Sequence, residues 1–149
     1  MGMDVPEFLA QRDVLIDADA RDKVALLRRL AQQAAGELEL QAGEVEAALH
    51  EREKLGSTGT GGGIAIPHAR LAKVKRPIGV FARTKKAIVF DAIDDKPVDL
   101  VFLLLLPIGN DGRHLSALAS VARRLRNAAT QAKLRNAGSQ EDLFAILCE

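Results

Sequence analysis

The chain has 149 residues, 48% of them apolar and 28% charged, and its 21 Lys and Arg nearly balance 20 Asp and Glu. That length and composition describe one folded domain over residues 1–149 with a single core, and argue against disorder or a repeat array. A net charge of +1, 3% aromatic residues and one cysteine supply no cationic face or stacking platform for nucleic acid, no internal disulfide and no multi-cysteine metal site.

The lone thiol, Cys148, fits a reducing cytoplasm. No basic segment followed by an apolar run opens the chain, so no targeting peptide is expected. The longest strictly apolar run, residues 100–106, is far below the roughly 20 residues needed to cross a bilayer. No membrane insertion is expected.

In chain order, the first third reads as helical. Asp19 resembles a capping start, and Val24, Leu27, Leu30 and Ala34 follow at spacings of three and four until Gly36 ends the pattern. A second helix is expected over residues 43–53, with Val45, Ala48 and Leu49 inward. Residues 56–63 then read Gly-Ser-Thr-Gly-Thr-Gly-Gly-Gly, five glycines in eight positions, which predicts a loop with unusual backbone angles.

Strands are expected at residues 64–66, 78–83, 87–90 and 99–106. The continuous branched apolar residues of the last one predict a strand covered on both faces. After a polar turn at 108–113, residues 114–127 form an amphipathic helix with Leu115, Leu118, Ala122 and Leu125 on one stripe, and residues 139–148 form a final helix. The fold class is α/β, a single domain whose mixed sheet is flanked by helices on both faces.

The three histidines are the side chains that titrate near neutral pH without help. His50 lies within the second helix among glutamates and reads as an ordinary helix residue. His68 follows Ile-Ala-Ile-Pro67, so a short strand delivers it, a proline turns the chain, and the glycine loop with its exposed N–H groups lies beside it as an anion cradle. Position alone leaves His68 open between a functional imidazole and a satisfied structural one. His114 opens a helix, where the positive end of the dipole attracts phosphate and disfavours ring protonation; it too stays open between roles.

Elimination narrows the chemistry. Cys148 lies in a core-like terminal helix, no nucleophile elbow surrounds Ser57 or Thr58, and the glycines match neither a Walker loop nor a dinucleotide fingerprint. The histidines are too scattered for a zinc pattern. A histidine working with phosphate remains. Residues 70–86 hold seven basic side chains and no acidic one, either a solvated face or a surface that receives an acidic partner.

The segments Arg52-Glu53-Lys54-Leu55-Gly56-Ser57-Thr58-Gly59, Gly63-Ile64-Ala65-Ile66-Pro67-His68-Ala69-Arg70, Phe90-Asp91-Ala92-Ile93-Asp94, Pro97-Val98-Asp99-Leu100-Val101-Phe102 and His114-Leu115 together resemble the enzyme IIA domain of the bacterial phosphoenolpyruvate-dependent phosphotransferase system, fructose/mannitol type. The nitrogen-regulatory branch is the most similar. Thr60 and Gly61-Gly62 depart from that pattern, where an Ile and a more polar residue are expected.

The resemblance implies that His68 accepts phosphate on Nε2, that His114 is a second active-site histidine and that Arg52 adds positive charge. It implies a histidine phosphocarrier protein as donor, regulatory targets or a IIB domain as onward partners, and no metal or organic cofactor. Sugar transport through a IIB cysteine and a purely binding domain are the alternatives. A phosphohistidine must outlast its encounter with water, so the site is expected to lack a general base; no carboxylate lies in sequence between residues 65 and 90.

Overall fold

The computed structural model describes residues 2–38, 40–109 and 112–149. In chain order it contains β1 (Val14–Ala18), α1 (Lys23–Leu38), α2 (Ala42–Lys54), β2 (Gly59–Gly61), β3 (Ile64–Ala65), β4 (His68–Arg70), β5 (Ile78–Ile88), β6 (Val98–Leu106), α3 (Gly112–Arg126), α4 (Ala128–Asn136) and α5 (Gln140–Leu147). Short 3-10 turns at Val5–Glu7 and Gln11–Asp13 precede β1. Residues 110 and 111 of the expected polar turn lie outside the described residues.

The apolar run becomes β6, the middle of a six-stranded sheet ordered β1-β5-β6-β3-β2, with β4 also paired to β6. Its side chains alternate between two cores, as period-two geometry requires. Val101, Leu103 and Leu105 pack with Leu26, Leu27 and Leu30 of α1 and Val45 and Leu49 of α2. Leu100, Phe102, Leu104 and Leu106 pack with Phe8, with Val121 and Leu125 of α3, with Leu134 of α4 and with Leu143 and Leu147 of α5. Helices thus cover both faces, and β5 runs antiparallel to β6 while β3 and β4 run parallel to it, which makes the sheet mixed.

Several boundaries differ from the sequence reading. Val14–Ala18 is a strand, parallel to β5, and the apolar triplet Val14-Leu15-Ile16 was its signal within a stretch read as helical. Helix α1 starts at Lys23, with Asp22 Oδ1 accepting from the Ala25 N–H at 2.8 Å, so Asp19 is not its cap. It runs through Gly36, because a glycine costs a helix only about 1 kcal/mol and the buried stripe of Leu26, Leu27, Leu30, Ala31 and Ala34 outweighs that. Val24 is 49% exposed and Leu115 59% exposed, so both leave the inward stripes assigned to them. The two expected strands at 78–83 and 87–90 are one, β5, whose far end carries the exposed Lys85 and Lys86 and so breaks the apolar alternation; Phe90 lies beyond it. The separate helix α4 begins where the Asn127 side chain accepts from Thr130 N at 3.0 Å.

The glycine-rich stretch is a β-hairpin more than a loop. Gly59–Gly61 pairs antiparallel with β3, and Gly62 and Gly63 turn between them at φ of 71° and 81°. Gly59 is required for a different reason: a Cβ there would stand 2.9 Å from the Ala92 backbone Cα. Beyond the hairpin, β3 and β4 lie along the same neighbour in one unbroken register, Ile64 to Leu100 and His68 to Leu104. Pro67 therefore interrupts the strand without turning the chain away. It has no N–H to give, but its carbonyl accepts from Leu104 N at 2.9 Å.

Candidate functional site

His68 is the first residue of β4, not the end of the preceding strand. Alternation along β4 places His68 and Arg70 on the face of Leu104 and Leu106, toward α3, and Ala69 on the face of α1 and α2. Arg70 crosses toward the approach to α3, with Nη1 donating to the Gly109 carbonyl at 2.8 Å. His114, buried, occupies the first turn of that helix. From the other side α2 packs against β4 and ends in Arg52 and Glu53. Since β2 pairs with β3, this line of the sheet has its hairpin neighbour beside β3, and β4 continues past it.

The ring of His68 is half-buried and oriented by its own strand. Nδ1 lies 2.8 Å from the Ile66 carbonyl oxygen, an acceptor, so Nδ1 carries the proton and donates it. In the neutral ring the lone pair is then on Nε2. Burial holds the pKa of His68 below its ordinary value, and the nearby guanidinium groups of Arg52 and Arg70 push the same way; the Ile66 bond and the Glu53 carboxylate oppose them. With its pKa held below the ordinary histidine value of about 6.5, the ring is mostly neutral at pH 7.

Arg52 sits in the last turn of α2, where Nη1 donates to the Gly56 carbonyl at 2.9 Å and fixes the helix-to-hairpin corner. Glu53 enters the site against the sequence expectation of a carboxylate-free surrounding. Its side chain is 7% exposed and fully engaged: it accepts from Thr58 N at 3.1 Å and Thr58 Oγ1 at 2.6 Å, and pairs with Lys23 Nζ at 2.9 Å. Carboxylate oxygens so committed are poor bases for water. Lys23 also lies over the Phe90 ring, 4.4 Å from its centroid, and Ser57 Oγ donates to the Phe90 carbonyl at 2.6 Å. This network ties α1, α2, the hairpin and the β5–β6 connection together.

The expected anion cradle in the glycine stretch is not what the geometry supplies. The N–H groups of Thr58, Gly59 and Gly62 donate to Glu53, Ser57 Oγ and Asp94. The turn carbonyl of Gly62 accepts from Arg135, which also grips Asp99 with two bonds of 2.9 Å. The basic stretch likewise divides. Lys73 pairs with Glu44, and Arg83 donates to the Leu134 and Ala137 carbonyls and to Asp17, whereas Arg70 donates to the Gly109 carbonyl and helps lower the His68 pKa.

Arg70 and the pair Glu53–Thr58 are the site residues that sequence reasoning assigned no role. For Arg70 the signal was its spacing of two from His68 on a strand, hence a shared face. For Glu53 and Thr58 no spacing rule exists, because a helix end and a tight corner join them. His50 bonds to nothing in the site and lies 3.5 Å from Glu46, one turn away. Burial pushes the Cys148 thiol up, keeping it protonated near neutral pH. Among the described residues no three His, Cys, Asp or Glu side chains converge where a metal ion fits, and no helix is long and apolar enough to cross a membrane.

A mixed sheet covered by helices on both faces, with a half-buried imidazole whose pKa is lowered by that burial and by Arg52 and Arg70, belongs to a known class. Residues 7–149 match the family described as phosphoenolpyruvate-dependent sugar phosphotransferase system, EIIA 2, and the chain belongs to that family. Within it, the chain is 40% identical over 148 residues to the nitrogen regulatory protein of Bradyrhizobium diazoefficiens, covering 97% of this chain and 95% of that one. It is 42% identical over 130 residues to the nitrogen regulatory protein of Escherichia coli strain K12, covering 87% and 80%. The crystal structure of nitrogen regulatory protein IIA-Ntr from Neisseria meningitidis matches with a TM-score of 0.91 at 38% identity, over 96% of this chain and 98% of that one.

Proposed function

We propose that this chain is a cytoplasmic phosphocarrier of the nitrogen-regulatory phosphotransferase type, which accepts a phosphoryl group on His68 from a histidine phosphocarrier protein and regulates partner proteins according to its phosphorylation state. The observation that carries the reading is the Nδ1–H bond of His68 to the Ile66 carbonyl, which leaves the Nε2 lone pair on a ring held neutral by burial and by Arg52 and Arg70. The kinship to nitrogen regulatory proteins supports the regulatory branch.

In the transfer, the Nε2 lone pair forms the new N–P bond while the N–P bond of the donor breaks and its electron pair returns to the donor's imidazole. The transition state is loose, with charge spread over three equatorial oxygens, so positioning and donors matter more than covalent assistance. Arg52 and Arg70 offset that charge. As Nε2 gives up its lone pair the ring becomes cationic, and the bond from Nδ1–H to Ile66 strengthens. His114, at the start of α3, acts with the helix dipole on the phosphoryl oxygens.

The test is to incubate the protein with phosphoenolpyruvate, enzyme I and the histidine phosphocarrier, then measure mass. An acid-labile gain of one phosphoryl group is expected in the wild type and none in His68→Ala. A wild type that gains nothing, or a variant that gains as much, overturns the reading. Transfer onward to the cysteine of a IIB domain would move it to sugar transport.

A further inference from the structure

A second polar concavity lies at the opposite end of α3 from His114. A cavity of about 460 Å³ opens between the 3-10 turn at Val5–Glu7, the last turns of α3, the start of α4 and the end of α5. Arg123 and Arg124 lie nine and ten residues beyond His114 on the same helix, roughly 14 Å along its axis. The cavity is therefore separate from the phosphoryl site.

Its lining has two characters. Val5 and Leu147 are buried and give it an apolar floor, while Arg123, Arg124, Ser120 and Asn127 bring polar groups to the same space. Among the described residues neither the Arg123 nor the Arg124 side chain forms a hydrogen bond or an ion pair. Asp4 and Glu149 also line the cavity, but Glu149 is already paired with Lys133 at 3.3 Å, outside the lining. Asn127 already uses its carbonyl oxygen to cap α4, which leaves its amide group as a donor.

Two neighbouring guanidinium groups with no protein acceptor, set over an apolar floor, match the demands of an oxyanion attached to a small carbon body. Each guanidinium offers a fork of N–H donors that fits carboxylate or phosphoryl oxygens two at a time. The volume falls within the range of about 300–1,000 Å³ typical of small-molecule sites. We propose that this cavity binds a small organic oxyanion, a carboxylate or phosphate ester, between Arg123 and Arg124 with its carbon body over Val5 and Leu147. The protein then carries a ligand site on the helix that also bears His114, independent of phosphoryl acceptance at His68.

The experiment is a titration of the full chain, isotopically labelled, with inorganic phosphate, glycerol 3-phosphate and succinate, following backbone amide resonances. Saturable shifts at Ser120, Thr130 and Cys148 with glycerol 3-phosphate or succinate are expected, at lower concentration than with inorganic phosphate because the carbon body adds contacts. Glycerol 3-phosphate and succinate distinguish a phosphate ester from a carboxylate. Arg123→Gln with Arg124→Gln should weaken binding at least about tenfold, the loss of one or more charge-assisted bonds, while His68→Ala leaves it unchanged. The single exposed-site variant Arg123→Gln gives the same direction if the double variant unfolds. No saturable shift with any of the three probes, shifts confined to the His68 region, or undiminished binding in the folded arginine variants would overturn the proposal.

Discussion

The β2–β3 hairpin and the short strand β4 follow one another along the same stretch of the sheet, yet they are held in different ways. The hairpin is braced from several directions: Ser57 and Glu53 before it, Asp94 beneath its turn, and Arg135 with Asp99 across it. Strand β4 rests on its pairing with β6, and the His68 ring on one carbonyl. The glycines thus serve close approach and a tight turn, as at Gly59 and Gly63, while the His68 ring is oriented through Nδ1. A braced frame thus flanks a lightly tethered imidazole.

The contrast can be broken from the β4 side with the largest effect. His68→Ala should abolish acid-labile phosphoryl uptake with the fold intact, as read by mass and by circular dichroism. Arg52→Gln should slow uptake by about tenfold to a hundredfold with little change in stability, since one cation aimed at developing charge is lost; an unchanged transfer rate would remove Arg52 from the site. Disturbing the hairpin should instead appear in stability. For Gly59→Ala the clash with Ala92 should cost ~1–3 kcal/mol in urea unfolding, with a smaller effect on uptake by the folded molecules than Arg52→Gln has.

The smallest effect is a pH dependence, and its sign follows from the lowered pKa of His68. Unfolded, the ring titrates near about 6.5. Folded, it titrates lower, so its contribution to stability is complete above that value and is lost as pH falls through the folded pKa. Uptake should accordingly hold level through pH 6.5, at about the ordinary histidine value, and decline only below it. Replacing His68 by Gln should flatten the acid slope of unfolding midpoints. A ring titrating at or above the ordinary value, followed by its own proton resonances, would show that the arginines and burial do not control it.

Much of the frame was legible in residue patterns. Residues 100–106 could only be a strand buried on both faces, which already required helices on both sides. The stripe of α2 was readable because a surface helix records its buried face every three to four residues. Strand β1 was missed because its apolar triplet carries no period, and β5 was split because the exposed Lys85 and Lys86 interrupt its apolar alternation before the buried Ile88. At the site, the Ile-Pro-His segment singled out His68, and the family resemblance carried Arg52 and His114. Arg70 stood in a charged run, where its spacing of two from His68 was the one mark of a shared face.

By itself the sequence determined a one-domain α/β fold, a central buried strand and the identity of the imbedded imbalance between a basic stretch after His68 and the acidic residues that follow it. It also determined membership in its family, because the motif segments keep their order along the chain. Tertiary structure alone decided that Nδ1 of His68 is the donor, that Arg52 and Arg70 arrive at the ring from different elements, and that Glu53 is present but occupied by Thr58 and Lys23. The physical reason is that periodicity reports which face of an element is buried, whereas a pKa or a tautomer depends on groups brought within a few ångströms by folding from distant points of the chain.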